Sequence, residues 1–88
     1  MDLMDEIWTL TVKRDEIAEI DQELLSLLKK RVAAGRVIGE IKRKNGKPLY
    51  VPEVEKAKIE LLSAQCVEYP GLVEAIWPVI MCYTRSME

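Results

Sequence analysis

Apolar and small residues recur along the first half of the chain at steps of mostly three or four: Ile17, Ile20, Leu24, Leu27, Leu28, Val32, Gly35, Ile38 and Ile41. This spacing marks one face of an α-helix, and no proline interrupts it. The pattern predicts a first helix from about Asp5 to Lys44. Asn45-Gly46 ends it, and Lys42, Arg43 and Lys44 fall in its last turn, where cations complement the helix dipole. Lys47-Pro48-Leu49-Tyr50-Val51 reads as a short extended connector. A second helix begins at Pro52, a residue suited to the first helical position. It carries Glu53 and Glu55 in its first turn and runs to about Cys66 or Val67. Tyr69-Pro70-Gly71 breaks the chain again. A third helix runs from about Leu72 to near the end of the sequence, and Pro78 inside it predicts a kink or a short unwound turn. Strand signals are almost absent, so the expected fold class is all-α, with one long helix and two shorter ones.

The first helix is too long for the rest of the chain. At about 1.5 Å per residue it spans roughly 60 Å, whereas a compact domain of this size has a radius of gyration of about 12 Å. Two shorter helices of the same chain cannot cover its apolar stripe. A second copy can, with the long helices paired antiparallel, so an obligate symmetric homodimer of six helices is expected.

Composition narrows the chemistry. The 88 residues form a single expected domain, 1–88, that is 49% hydrophobic and 32% charged, a globular balance. There is no histidine, and only two cysteines, Cys66 and Cys82. That leaves no metal-ligand spacing and no Ser-His or Cys-His dyad. Neither a metal nor a cofactor is expected. Thirteen basic against fifteen acidic residues give a net charge of −2, which argues against general binding to nucleic acid or an anionic membrane. No apolar run reaches the roughly 20 residues of a membrane span. The acidic start lacks the basic region of a signal peptide, so the expected location is the cytoplasm.

Several polar residues interrupt the apolar faces. Arg31 and Lys42 lie eleven residues apart, about 20° from alignment on one helix face, with Gly35 and Gly39 between them. Large cations separated by small residues describe a concave basic strip that admits a small anion. The same pattern fits solvated cations beside glycines that allow close helix packing, and pattern alone favours this plainer account. Arg14 lies about 100° off the strip. In an antiparallel dimer it can reach the partner's pocket. On the third helix, Val73, Trp77, Ile80, Thr84 and Glu88 follow one stripe, apolar at its start and polar at its end. Glu55 is either a dipole-complementing surface residue or a pocket acceptor. Trp8, Trp77 and Tyr83 read as packing anchors, Met81 and Met87 as fillers, and the two cysteines as core or boundary residues.

Three stretches carry a family resemblance: the run from Arg14 through Ile20-Asp21 and Leu24-Leu25 to Arg31, Gly39-Glu40-Ile41-Lys42, and Gly46 through Pro52 to Glu55. With these spacings the chain resembles the all-helical chorismate mutases, a class of intertwined three-helix dimers, over residues 7 to 88. It is similar to the mutase domain of bifunctional chorismate mutase–prephenate dehydrogenases. The resemblance implies the rearrangement of chorismate, a small dicarboxylate, to prephenate in phenylalanine and tyrosine biosynthesis. That reaction is a pericyclic shift that needs no nucleophile, metal or cofactor. It needs a held conformer and stabilised charge on the ether oxygen.

The resemblance also implies roles. Arg31 binds one carboxylate in its own chain's pocket, and Arg14 reaches the other from the partner. Lys42 donates to the ether oxygen and the neighbouring carboxylate, and Glu55 accepts from the ring hydroxyl. Thr84 stands near a carboxylate and Glu88 beside the ether oxygen. Val51 stands where the family often has Asp, and serves through its backbone. Two departures stand out. Val54 occupies the place of a pocket arginine, with Lys58 one turn on as a possible substitute, and Pro78 interrupts the third helix. Two other functions fit the same helices: an isochorismate–pyruvate lyase with a similar cationic pocket, and a non-catalytic dimerisation or regulatory domain.

Overall fold

The computed structural model describes residues 2–88. It contains three helices, α1 (Leu3–Lys44), α2 (Pro52–Ala64) and α3 (Leu72–Ser86), and no strand among the described residues. The chain divides into two units, one ending at Lys30 and the other spanning Arg31–Glu88. In the first unit the described residues form little but the N-terminal part of α1. The second holds the end of α1 together with α2 and α3.

Each boundary has a local cause. At the end of α1, Gly46 takes a φ of 64°, which a residue without Cβ adopts freely. The Lys47 amide then donates to the Lys42 carbonyl at 2.8 Å, and the Gly46 amide to the Arg43 carbonyl at 3.2 Å. This pair of bonds is the Schellman closure, which satisfies carbonyls the helix would leave open. Asn45 adds a side-chain bond to the Ile41 carbonyl at 2.8 Å. At the start of α2, Pro52 occupies the first turn and Val51 accepts amides from Val54 and Glu55 at 3.1 and 3.3 Å.

Three expectations need correction. α1 begins at Leu3, a little before Asp5, and α2 ends at Ala64, before Cys66. α3 continues without an unwound turn through Pro78. Proline removes one intrahelical donor and crowds the carbonyl four residues earlier. Here that local cost does not break the helix, because turns on both sides are held by packing. Val73 and Met81 are the buried apolar side chains on either side of Pro78.

α2 packs against α3, and Ser63 at the end of α2 donates a short hydrogen bond to Glu74 at the start of α3. That bond holds the Glu74 carboxyl below its ordinary value. Val73 and Met81, each 5% exposed, are the only buried apolar side chains among the described residues. Two such side chains do not make a core for a chain of this size. In the first unit, Ile17 and Ile20 are 58% exposed and Trp8 is 70% exposed. Trp8 and Tyr83, read as packing anchors, therefore anchor nothing within one chain, and Cys82 is exposed too. Both cysteines are free thiols. Among the described residues, no helix is long and apolar enough to cross a membrane.

Candidate functional site

The last turns of α1 and α3 meet over glycine. A Cβ at Gly35 would collide with the Thr84 methyl group and lie 3.3 Å from Glu88 Oε1. A Cβ at Gly39 would lie 2.6 Å from Glu88 Cβ and 3.0 Å from its Cα and carbonyl oxygen. The two glycines are thus the seat on which Thr84 and the backbone of Glu88 rest. The close-packing account of Gly35 and Gly39 is correct. The basic strip is present as well, because the cations flanking the glycines border a cavity.

That cavity has a volume of about 180 Å³ and lies within the second unit. It is smaller than the roughly 300–1,000 Å³ of sites for drug-sized ligands, so it suits a small molecule. Arg31 and Lys42 from α1, Val51 from the connector, Glu55 from α2, Thr84 from α3 and Glu88 just beyond its end all line it. Six of the seven sequence-predicted site residues are therefore brought together. Arg14 is not among the lining residues; it is exposed in the first unit.

The polar groups are oriented by specific bonds. Arg31 Nη1 donates a short hydrogen bond to Thr84 Oγ1, and Thr84 Oγ1 donates to the Ile80 carbonyl at 2.9 Å. Arg31 has five N–H donors in a planar fork, so this anchor leaves most of the fork for a ligand. Thr84 is 6% exposed, and its two bonds account for its burial. Lys42 Nζ donates to the Leu49 carbonyl at 3.3 Å, which draws the ammonium toward the connector. Glu88 Oε2 is buried and has no hydrogen-bond partner. A buried carboxyl oxygen in that state carries a desolvation cost that a donor or a proton would relieve.

One residue escaped the sequence reading. Arg85 lines the cavity beside Glu55 and donates from Nη1 to Glu55 Oε2 at 2.6 Å. Its guanidinium carbon also lies 4.0 Å from the centre of the Tyr50 ring, a cation–π geometry. The hydrogen bond to Glu55 is the first cause of the guanidinium's pKa rising above its ordinary value. Val54 and Lys58 border the same cavity, and Arg85 adds to it a cation from α3. The available signal was a lone arginine next to Thr84 in an apolar helix. Its partner Glu55 lies 30 residues away in sequence, so no local spacing links the two.

One long and two short helices, with a small cavity bordered by cations and carboxyls, make this an all-helical domain. Its family is clear from sequence: residues 13–88 match chorismate mutase type II, and the chain belongs to that family. Among curated relatives, the T-protein of Enterobacter agglomerans is 44% identical over 50 residues, 57% of this chain and 13% of the relative. The bifunctional chorismate mutase/prephenate dehydratase of Aquifex aeolicus is 47% identical over 47 residues, 53% of this chain and 13% of the relative. The T-protein of Haemophilus influenzae is 38% identical over 47 residues, 53% of this chain and 12% of the relative. The chain therefore aligns with about an eighth of the length of these relatives. No solved structure gives a significant match.

Proposed function

We propose that residues 1–88 form one chorismate mutase domain that rearranges chorismate to prephenate in aromatic amino acid biosynthesis, in the cytoplasm. The observation that carries this reading is the gathering of Arg31, Lys42, Glu55, Thr84 and Glu88 around one small cavity. Membership of the chorismate mutase type II family supports it. The free thiols suit a reducing compartment.

The reaction breaks a C–O bond and forms a C–C bond within one molecule. The protein's tasks are to hold the reactive conformer and to stabilise charge where it grows. Arg31, steadied by Thr84, binds one carboxylate with its remaining donors in a fork. Lys42 keeps two donors beyond its bond to Leu49 and directs them to the ether oxygen and the adjacent carboxylate. Glu55 accepts the ring hydroxyl through Oε1, since Oε2 is held by Arg85. The Val51 carbonyl is taken by the first turn of α2, so its amide is the group left to donate to substrate. Glu88, in its protonated form, donates to the ether oxygen.

The remaining carboxylate is bound by Arg14 of a second copy. The exposed stripe of α1 and the minimal core of the single chain support an intertwined antiparallel homodimer of six helices. Sedimentation equilibrium tests the assembly, and a monomer at micromolar concentration contradicts it. Product analysis tests the reaction. Prephenate from chorismate supports the mutase; pyruvate released from isochorismate, with chorismate untouched, replaces it with the lyase. Turnover of neither substrate leaves a non-catalytic dimerisation domain.

A further inference from the structure

We propose that Arg85 is a positioning residue of the cavity: lying on the Tyr50 ring, it grips Glu55 Oε2 and so presents Glu55 Oε1 to the substrate hydroxyl. The inference rests on the mutase reading of the site and deepens it.

The geometry has three parts. Glu55 sits in the first turn of α2, where an unheld carboxylate samples several rotamers. Arg85 Nη1 removes that freedom from one oxygen at 2.6 Å, a short, charge-assisted bond. Tyr50 in turn limits the guanidinium, whose carbon sits 4.0 Å from the ring centre. Connector, α2 and α3 thus meet in one stack of ring, cation and carboxylate.

Both ends of the pair are about a quarter exposed, 25% for the Arg85 side chain and 24% for Glu55. Water screens a pair this exposed, so its contribution to fold stability is small. Its contribution to orientation is not reduced in the same way, because catalysis depends on where Oε1 points. Arg85, Glu55 and Met81 also border the second, larger groove, on the far side beside Pro78 and Ser63. The pair therefore borders both spaces, and its bond leaves Oε1 as the carboxylate oxygen that Arg85 does not hold.

The test is kinetic and uses the full chain. Arg85→Met, Arg85→Lys, Glu55→Gln and the double variant Arg85→Met/Glu55→Gln are assayed with chorismate, with helicity and oligomeric state as controls. Arg85→Met is expected to lower kcat by on the order of tenfold, the effect of losing one hydrogen bond to a charged group. Arg85→Lys, which keeps the charge but not the fork, recovers part of the loss. The double variant is no slower than Glu55→Gln, because Arg85 acts through Glu55. Should Arg85→Met fail to fold, Arg85→Lys with and without Glu55→Gln gives the same comparison. An active wild type with unaffected Arg85 variants overturns this inference alone, as do losses that multiply in full in the double variant. A folded wild type without turnover overturns the mutase reading and this inference with it.

Discussion

Glu88 lies on Gly39 with no room between them: a methyl group at position 39 would sit 2.6 Å from Glu88 Cβ and 3.0 Å from its backbone. The placement of a proposed catalytic carboxyl therefore depends on the absence of a side chain on α1. Gly39→Ala sets two effects against each other. Alanine favours the helix by about 1 kcal/mol over glycine. Overpacking against a backbone costs about 1–3 kcal/mol, and rotating a side chain cannot relieve it. Gly39→Ala is expected to lower the urea midpoint and to reduce turnover by displacing Glu88. A stability equal to wild type with full activity would contradict the close seat.

Gly35→Ala is expected to be milder. The added carbon meets the Thr84 methyl group and Glu88 Oε1, which are ends of side chains. Relief still requires Thr84 to turn, which weakens its bonds to Arg31 and Ile80. The expected result is a smaller change in urea midpoint than for Gly39→Ala and a higher KM for chorismate, both read from the same preparation.

Thr84→Val keeps the shape and removes the hydroxyl. Arg31 loses its anchor, a bond to a charged group worth about 1.5–3 kcal/mol. KM is expected to rise several-fold while helicity stays unchanged. Thr84→Ser, which keeps the hydroxyl, is expected to stay close to wild type. Equal effects of the two substitutions would place the importance of Thr84 in packing.

Glu88 predicts a pH dependence. Only its protonated form has an O–H to donate to the ether oxygen; the carboxylate beside growing negative charge opposes the reaction. Turnover is expected to rise as the pH falls from 8 toward 4.5. Glu88→Gln, a donor at every pH, should flatten the profile. A flat profile in the unmodified protein would remove Glu88 from this role.

Much of the fold is readable in the chain because its causes are local. The three-to-four spacing from Ile17 to Ile41, Asn45-Gly46 after it, and Pro52 followed by acidic residues each act within a turn or two of the backbone. Arg31, Gly35, Gly39 and Lys42 share a face by helix arithmetic alone, and Thr84 and Glu88 are one turn apart. What the sequence hides is contact between elements. Arg85 acquires its place only when α3 brings it over Glu55 and Tyr50. Pro78 signals a kink or an unwound turn, and α3 runs through it without unwinding. Trp8, Tyr83 and Cys82 read as buried or boundary residues yet are exposed in one chain, where only a further surface can cover them.

The measurement that bears most directly on the whole account mixes two variants. Arg14→Ala and Arg31→Ala are each expected to leave chorismate turnover near zero. If each cavity takes Arg31 from one chain and Arg14 from the other, a mixed dimer has one site with both lesions and one with none. Random exchange of equal amounts makes half the dimers mixed, so the mixture should regain about a quarter of wild-type activity. Recovery of that size, following chorismate absorbance, is the predicted result. No recovery after demonstrated subunit exchange, with the wild type active, would contradict a site shared between two chains.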